Sequence, residues 1–143
     1  MYLLDTNTCI QFLNGRSLLV EAQFRAHSQN QLKLYSIVKA EMLYGAARSA
    51  HPDRTLAFME RFFAGYDSIP FDDAAAASYG RIRQDLAAAG TPIGPNDLLV
   101  AAIALSRNLV LVSHNTREFS RVPGLRLEDW ELSESADPRP NNV

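Results

Sequence analysis

The chain has 143 residues, of which 47% are hydrophobic and 21% charged, which fits one globular domain with an apolar core and argues against several domains. Its formal net charge of −2 argues against a nucleic-acid binder that works through bulk positive charge. Five of the acids lie in the last sixteen residues, however, so residues 1–127 carry 13 basic and 11 acidic side chains. Twelve of the 14 basic residues are arginine, which suits phosphate binding but is better explained by codon bias in an arginine-rich genome.

Cysteine usage and the N-terminal segment indicate the cellular setting. The single cysteine, Cys9, excludes an intrachain disulfide and nearly excludes a thiolate zinc site. A protein without disulfides is typical of the reducing cytosol. The segment MYLLDTNTCI lacks the basic and long apolar stretches of a signal peptide, and no apolar run approaches the length of a membrane span. We therefore expect a cytoplasmic protein that does not contact a membrane.

Short apolar runs alternate with longer amphipathic segments, which is the pattern of a parallel β-sheet covered by helices. The predicted strands are residues 1–5, 32–38, 66–71, with Pro70 marking an edge strand, and 109–112. The predicted helices begin at Thr8, where Gln11 completes a capping box, then near Leu18, near Lys39, at Pro52, at Asp72 and at Gly94-Pro95. Gly90 is predicted to end the helix that begins at Asp72. Residues 133–143 have few large apolar side chains, so we predict one folded domain over 1–132 and a disordered tail over 133–143.

Three acidic residues occupy corresponding places in three segments. Asp5 ends the first predicted strand, Glu41 follows the second, and Asp97 lies in the first turn of the helix that begins at Gly94. Because strand ends and the N-termini of the following helices share one edge of an open α/β sheet, we expect the three acids to converge there. Such carboxylates repel by roughly 3 kcal/mol per pair at about 5 Å and need a cation or protons. Oxygen ligands without His or Cys favour Mg²⁺ or Mn²⁺, although Asp97 taken alone is equally explained as a helix-stabilising acid.

A polar segment, Ser113-His114-Asn115-Thr116, follows the last predicted strand and belongs to the same edge. Ser113 can orient a carboxylate and Asn115 can bind a metal-coordinated water, whereas the alternative is an ordinary turn in which Asn115 or Thr116 caps a helix. The histidines, His27, His51 and His114, are not spaced as metal ligands and are predicted to be surface or packing residues. No GxGxxG, P-loop, GxSxG or HExxH pattern occurs, which disfavours dinucleotide, nucleotide, serine-hydrolase and zinc-protease functions.

Four segments, in order along residues 1–130, resemble the PIN-domain ribonucleases, and specifically the VapC toxins of bacterial VapBC toxin–antitoxin operons. They are LLDTNTCI at 3–10, AEMLYGA at 40–46, IGPNDLLVAAIALS at 93–106, and SHNTREF with RVPGL at 113–125. The resemblance implies an α/β fold with a five-stranded parallel sheet between helices. It also implies Mg²⁺- or Mn²⁺-dependent endonucleolytic cleavage of RNA.

The resemblance also implies roles for individual residues. Asp5, Glu41 and Asp97 correspond to the family's catalytic acids, with Asp5 and Asp97 binding the metal directly. Glu41 would act through water or position the attacking water. Thr6 or Ser113 would support Asp5. At Asn115 many PIN domains have a fourth acid and many VapC toxins an asparagine, which leaves open whether one or two metal ions act.

Arg117 is the best-placed candidate for binding an RNA phosphate, and its alternative role is an ion pair with Glu118 or Asp129. The resemblance implies a VapB-type antitoxin that inserts a basic side chain into the acidic site, and a homodimer or toxin–antitoxin hetero-oligomer. Leu56, Met59, Phe62, Phe63 and Tyr44 are candidates for such a partner or dimer surface. Likeness to the enterobacterial members suggests a structured RNA such as initiator tRNA, cut in its anticodon loop.

Two other functions fit strand-end acids less well. A non-catalytic, magnesium-binding receiver-like signalling module needs a lysine at a late strand end, but the only lysines are Lys33 and Lys39. An acid-based phosphatase of small molecules needs an Asp-x-Asp pair after the first strand, where this chain has Asp5-Thr6-Asn7.

Overall fold

The computed structural model describes residues 1–132, and the predicted disordered tail at 133–143 lies outside the described residues. Five parallel strands form one sheet in the order β3-β2-β1-β4-β5. The strands are β1 (Tyr2–Leu4), β2 (Leu32–Tyr35), β3 (Asp67–Ile69), β4 (Val110–Val112) and β5 (Arg126–Glu128). The α-helices are α1 (Thr6–Leu13), α2 (Leu18–Ala26), α3 (Ser36–Ala47), α4 (Pro52–Phe63), α5 (Asp73–Ala88), α6 (Pro95–Ser106) and α7 (Thr116–Phe119), and a short 3₁₀ helix spans Gln29–Gln31.

The sheet order explains how acids far apart in the sequence come together. From β1 the chain crosses first to β2 and β3 on one side and then back to β4 and β5 on the other. The strands that flank this reversal, β1, β2 and β4, are the central ones, and all point the same way. Right-handed crossovers then place α1–α4 on one face and α5–α7 on the other, so that ligand-binding residues collect at the carboxyl edge of the sheet.

The core lies on both faces of the central strands. Leu3 and Leu4 of β1, Leu34 of β2 and Leu111 of β4 are completely buried. On the face of α5 and α6, residues 100–104 of α6 form a continuous buried run, which fits a helix covered by both the sheet and α5. None of the helices within residues 1–132 is long and apolar enough to cross a membrane.

Several predicted elements are confirmed at or near their boundaries. The helix at Pro52 has its proline in the first turn, and the strand β3 lies at the sheet edge. Gly90 follows the end of α5 with a φ of +68°, a conformation that glycine adopts readily. Thr91 N donates to Leu86 O at 2.9 Å across it, so the predicted C-terminal cap is confirmed.

Two predicted helix starts are wrong. The first helix begins at Thr6 rather than at Thr8, because Asp5 is its N-cap, while Thr8 is buried and its hydroxyl donates to Val112 O at 3.4 Å. The second strand ends at Tyr35, and α3 begins at Ser36 rather than near Lys39. The apolar residues Ile37 and Val38 continue the strand pattern in the sequence, but both belong to α3, where Val38 is buried. The edge strand β5 was expected only from the resemblance, since three residues are too short for a periodic signal.

Candidate active site

Asp5 combines a structural and a chemical role at the end of β1. Its backbone N–H donates to Val112 O at 3.0 Å, which joins the ends of β1 and β4. Its Oδ1 accepts from the Thr6 backbone N–H at 2.8 Å, which caps α1. The carboxylate therefore lies at the start of α1, at the carboxyl edge of the sheet.

Two buried hydroxyls hold the Asp5 carboxylate. The Tyr35 hydroxyl donates to Oδ1 at 3.1 Å and the Ser113 hydroxyl donates to Oδ2 at 2.7 Å. Asn115 donates its backbone N–H to Ser113 Oγ at 3.1 Å, which directs the Ser113 hydrogen toward Asp5. Since Oδ1 accepts two hydrogen bonds and Oδ2 accepts one, the side of Asp5 left for a further partner is Oδ2.

Tyr35 is a site residue that the sequence did not reveal. Its side chain is completely buried at the junction of β2 and α3. Burial, followed by the negative charge of Asp5, raises the pKa of the Tyr35 hydroxyl far above its usual range, so the group remains a hydrogen-bond donor. The sequence offers only an aromatic residue in an apolar run, which indicates a core position and nothing more.

Glu41 lies on α3 and is linked to both aspartates through their neighbours. The Thr6 hydroxyl donates to Glu41 Oε2, and the Asn96 side-chain amide donates to Oε1 at 3.0 Å. Thr6 follows Asp5 directly, and Asn96 precedes Asp97. The predicted support of Asp5 thus comes from Ser113 and from the Thr6 backbone, while the Thr6 side chain supports Glu41.

Asp97 lies in the first turn of α6, where it meets Glu118 of α7. The two carboxyl groups are in hydrogen-bonding contact, and the Asn115 side-chain amide donates to Asp97 Oδ2 at 2.9 Å and to Glu118 Oε2 at 3.3 Å. Burial, then the contact with Glu118 and the charge of Asp5, raise the pKa of Asp97 to about 7. The bond with Asp97 lowers the pKa of Glu118, so below about pH 7 the shared proton resides on Asp97.

The sequence left two roles open for Asn115, binding of a metal-coordinated water and capping of a helix. Asn115 stands at the N-cap position of α7, but its side chain does not cap the helix. The amide instead points to Asp97 and Glu118, and the backbone N–H supports Ser113. The interpretation of Asn115 as a side-chain N-cap is therefore wrong, because two carboxylates compete for the same amide hydrogens.

Glu118 supplies a fourth carboxylate that the sequence analysis named only as an ion-pair partner. It is the third residue of α7, which follows β4, just as Asp97 is the third residue of α6. The rule that identified Asp97, an acid in the first turn of a helix at the sheet edge, therefore also identifies Glu118. The sequence had indicated Glu118 only as a possible ion-pair partner of Arg117, in a helix that follows a turn.

The remaining candidates lie around this centre. Arg117 is exposed on α7, and none of the ion pairs among residues 1–132 includes it, so the predicted pairs with Glu118 or Asp129 do not form. His114 is exposed, and its Nδ1 lies 2.9 Å from Asp129 Oδ2. His27 is a packing residue stacked on Trp130, with ring centroids 5.3 Å apart.

The donor set has the chemistry of a hard-cation site. Within residues 1–132 no three His, Cys, Asp or Glu side chains surround one point as ligands would. The Glu41 carboxylate is held by hydrogen bonds from Thr6 and Asn96. Asp5, Asp97 and Glu118 nonetheless offer carboxylate oxygens in one network, and a proton on Asp97 relieves part of their mutual repulsion. Cys9 is completely buried, and burial raises the pKa of its thiol, so it offers no thiolate. These residues fit Mg²⁺ or Mn²⁺ and not a thiolate-bound metal.

Known proteins resemble this chain over nearly its whole length. A family model described as "PIN domain" matches residues 2–125. The chain is 43% identical over 129 residues to the tRNA(fMet)-specific endonuclease VapC of Shigella flexneri, covering 90% of this chain and 97% of that protein. It is 39% identical to ribonuclease VapC2 of Haemophilus influenzae strain Rd, with the same coverage. The crystal structure of DNA-bound VapBC from Salmonella typhimurium aligns with a TM-score of 0.84 and 41% identity, covering 90% of this chain and 97% of the matched one. The crystal structure of VapBC2 from Rickettsia felis bound to a promoter DNA fragment aligns with a TM-score of 0.83 and 33% identity, covering 90% of this chain and 98% of the matched one.

Proposed function

Because the chain belongs to the PIN-domain family and, within it, to the VapC ribonucleases, we propose that it is the toxin of a VapBC pair and cleaves RNA at the edge where Asp5, Glu41 and Asp97 meet. The single observation that carries the placement of the site is the hydrogen-bond network that joins Asp5 to Glu41 through Thr6, and Asp5 to Asp97 through Ser113 and Asn115. Residues 1–132 form the nuclease domain in this proposal, in line with the span of the family match.

The metal proposed for this site is Mg²⁺ or Mn²⁺, held directly by Asp5 and Asp97 and through water by Glu41. When bound, the ion would neutralise charge on the phosphoryl oxygens and lower the pKa of the attacking water. Asp5 would contribute Oδ2, because its other oxygen is occupied by Thr6 and Tyr35. Loss of the proton from Asp97 would accompany ion binding, because a protonated carboxyl is a poor ligand. Glu118 provides a fourth carboxylate next to Asp97, in place of the acid that many PIN domains have at Asn115.

The other polar residues position these acids and the substrate. Ser113 and Tyr35 restrict the Asp5 carboxylate to one orientation, while Asn96 and Thr6 do the same for Glu41. Glu41 is then able to accept a proton from a water aligned with the phosphate, since both of its oxygens are fixed by neutral donors. Arg117, exposed on the neighbouring helix, is proposed to contact a flanking RNA phosphate.

A VapB-type antitoxin is the proposed protein partner, since the solved relatives are VapBC complexes. The predicted apolar surface is divided by the fold: Phe62 is buried and Met59 and Phe63 pack against the core, whereas Leu56 and Tyr44 are exposed. A guanidinium from such a partner can replace the cation among the carboxylates. Self-association into a homodimer or a toxin–antitoxin hetero-oligomer in the cytoplasm is part of the same proposal.

Initiator tRNA is the proposed substrate, because relatives with 41–43% identity are named tRNA(fMet)-specific endonucleases. The test incubates the purified chain with initiator tRNA, an elongator tRNA and a synthetic anticodon stem-loop, and maps the new 5′ ends. We expect one cut in the anticodon loop of initiator tRNA, and none with Asp5→Asn or Asp97→Asn. Equal cutting of initiator and elongator tRNA would refute the substrate, and wild-type rates in either variant would refute the site.

A receiver-like signalling function finds no support. The position after β4 where such a module needs a lysine holds Ser113, and the matching family is a ribonuclease family. No specific observation favours a small-molecule phosphatase.

A further inference from the structure

A cavity of about 400 Å³ lies between α5, from Tyr79 to Ala87, and the loop that leads into α6. Its inner wall is apolar and consists mainly of Leu86, Ile93 and Leu98. Tyr79 and Arg83 of α5 form its rim. This volume is in the range of pockets that hold small organic groups.

Gly94 adjoins both the cavity and the acidic site. A side chain on Gly94 would have its Cβ 3.8 Å from both Asp97 Oδ2 and Glu118 Oε2. The residues on either side, Ile93 and Pro95, line the cavity. Consecutive Cα atoms are about 3.8 Å apart, so a nucleotide adjoining a phosphate at the acids is within reach of the cavity.

The rim of the cavity is built to present a flat ring and positive charge. Arg83 donates to the Tyr79 hydroxyl at 3.0 Å, and its guanidinium lies 5.9 Å from the centre of the Tyr79 ring. The Phe71 ring meets the same tyrosine edge-on at 6.2 Å between centroids, which holds the ring in place. Arg121 of the segment after α7 donates to Pro92 O at 2.9 Å and brings a second guanidinium to this loop.

These features match one chemical class of occupant. An apolar interior with an aromatic rim accepts a planar base, and the two arginines complement the phosphates on either side of it. Single-stranded RNA offers unstacked bases of this kind in its loops. A buried anion would find no partner on the apolar wall, and an aliphatic ligand would make no use of the arginines.

We propose that this cavity is a nucleobase subsite, which holds a base of the RNA substrate next to the cleaved phosphodiester through Tyr79 and Arg83. The inference rests on the proposed ribonuclease function and adds the position at which the substrate is held. It makes Tyr79 and Arg83 specificity residues outside the acidic cluster.

The test combines two variants with a set of modified RNAs. Tyr79→Leu keeps an apolar side chain but removes the aromatic face, and Arg83→Gln removes the charge. The probe is a fluorescein-labelled anticodon stem-loop of initiator tRNA, used intact or with one abasic nucleotide at each loop position. We expect each variant to raise Kd and KM for the intact probe roughly tenfold, the loss of about one base stack, with kcat nearly unchanged. An abasic nucleotide at one loop position should raise the Kd of the wild type by the same factor as the variants do. The same abasic probe should not raise the Kd of Tyr79→Leu any further.

The matched controls are Phe58→Leu and Arg61→Gln, which also replace an aromatic residue by leucine and an arginine by glutamine, but at a groove between α1, α2 and α4. Both should bind and cleave the probe as the wild type does. Variants at Tyr79 and Arg83 that equal these controls on every probe would overturn the subsite while leaving the ribonuclease proposal intact. A shift in self-association instead of RNA affinity, measured by sedimentation, would also overturn it and assign the cavity to a second copy of the chain. Binding without any cleavage by the wild type would refute the ribonuclease function, and the Kd values would still decide whether the cavity holds a base.

Discussion

Removing the charge of Asp97 should stabilise the metal-free protein, and only above mildly acidic pH. Asp97 carries a pKa of about 7 because burial and the neighbouring carboxylates of Glu118 and Asp5 oppose its ionised form. In the unfolded chain the same group titrates at its ordinary value of 3.8. A group whose pKa is raised by folding contributes its full stability below the unfolded value and loses it as pH rises through the folded value. Asp97→Asn keeps the hydrogen bonds to Asn115 and Glu118 available and carries no charge to desolvate.

The size of the effect follows from the two pKa values. A rise from 3.8 to about 7 corresponds to an upper limit of about 4 kcal/mol in the free energy of unfolding. Asp97 is only partly buried, however, and the lowered pKa of Glu118 offsets part of the cost. After this screening we expect Asp97→Asn to be more stable than the wild type by about 1–2 kcal/mol above pH 8. Below about pH 3 the two proteins should be equally stable, since Asp97 is then protonated in both the folded and the unfolded wild type.

Urea unfolding in EDTA across this pH range measures the difference directly. Glu118→Gln should give a similar pH-dependent gain, and the double variant should gain less than the sum, because the two side chains belong to one pair. Asp85→Asn, which removes an exposed acid of α5, is the matched control and should show no such pH dependence. A constant difference between Asp97→Asn and the wild type at every pH would refute the reasoning, since it would place the pKa of Asp97 at its ordinary value.

Four further outcomes are expected. Cleavage should stop in EDTA and return with Mg²⁺ or Mn²⁺ but not with Zn²⁺, whereas full activity in chelated protein would contradict a metal mechanism. Asn115→Asp should tighten Mn²⁺ binding in calorimetry and lower the metal-free melting temperature, because it adds a third carboxylate to a pair that already shares a proton; Asn115→Ala should reduce cleavage less than loss of any acid. Tyr35→Phe should weaken Mn²⁺ binding roughly tenfold while its control, Tyr66→Phe, does not, and equal affinities would reduce Tyr35 to a core residue. His114→Gln should lower the free energy of unfolding by at most about 1 kcal/mol near pH 6 and by nothing near pH 9. The hydrogen bond to Asp129, and then the charge of Glu131, raise the pKa of His114, so its ion pair is lost as pH rises through that pKa.

Sequence reasoning succeeded where a topological rule constrained the answer. Asp5, Glu41 and Asp97 were expected to lie together because strand ends and helix starts of a parallel sheet share an edge, and hydrogen bonds through Thr6, Ser113 and Asn115 link the three side chains there. The helices at Pro52 and Pro95 were found because proline in a first turn is a local signal that tertiary contacts do not override.

It failed where one residue serves two purposes. Asp5 is both a site residue and an N-cap, and interpreting it only as the former moved the start of α1 to Thr8. Tyr35 looks like a core aromatic, and the direction of its hydroxyl depends on β1 lying beside β2, which the local sequence does not specify. Asn115 has the residue type of a cap, but its amide goes to two carboxylates that reach it from α6 and α7.

The double role of Asp5 bears on how such a gene decays. A single transition in an aspartate codon produces asparagine, which caps a helix as well as aspartate does, so Asp5→Asn would remove the proposed metal ligand while preserving the start of α1. Inactivation by this route leaves a folded protein with an intact surface for its partner. Selection against toxicity would therefore favour this one codon over frameshifts wherever the protein is still needed to occupy the partner. A lineage that carries the Asp5→Asn substitution in an otherwise unchanged site would be the trace of that history.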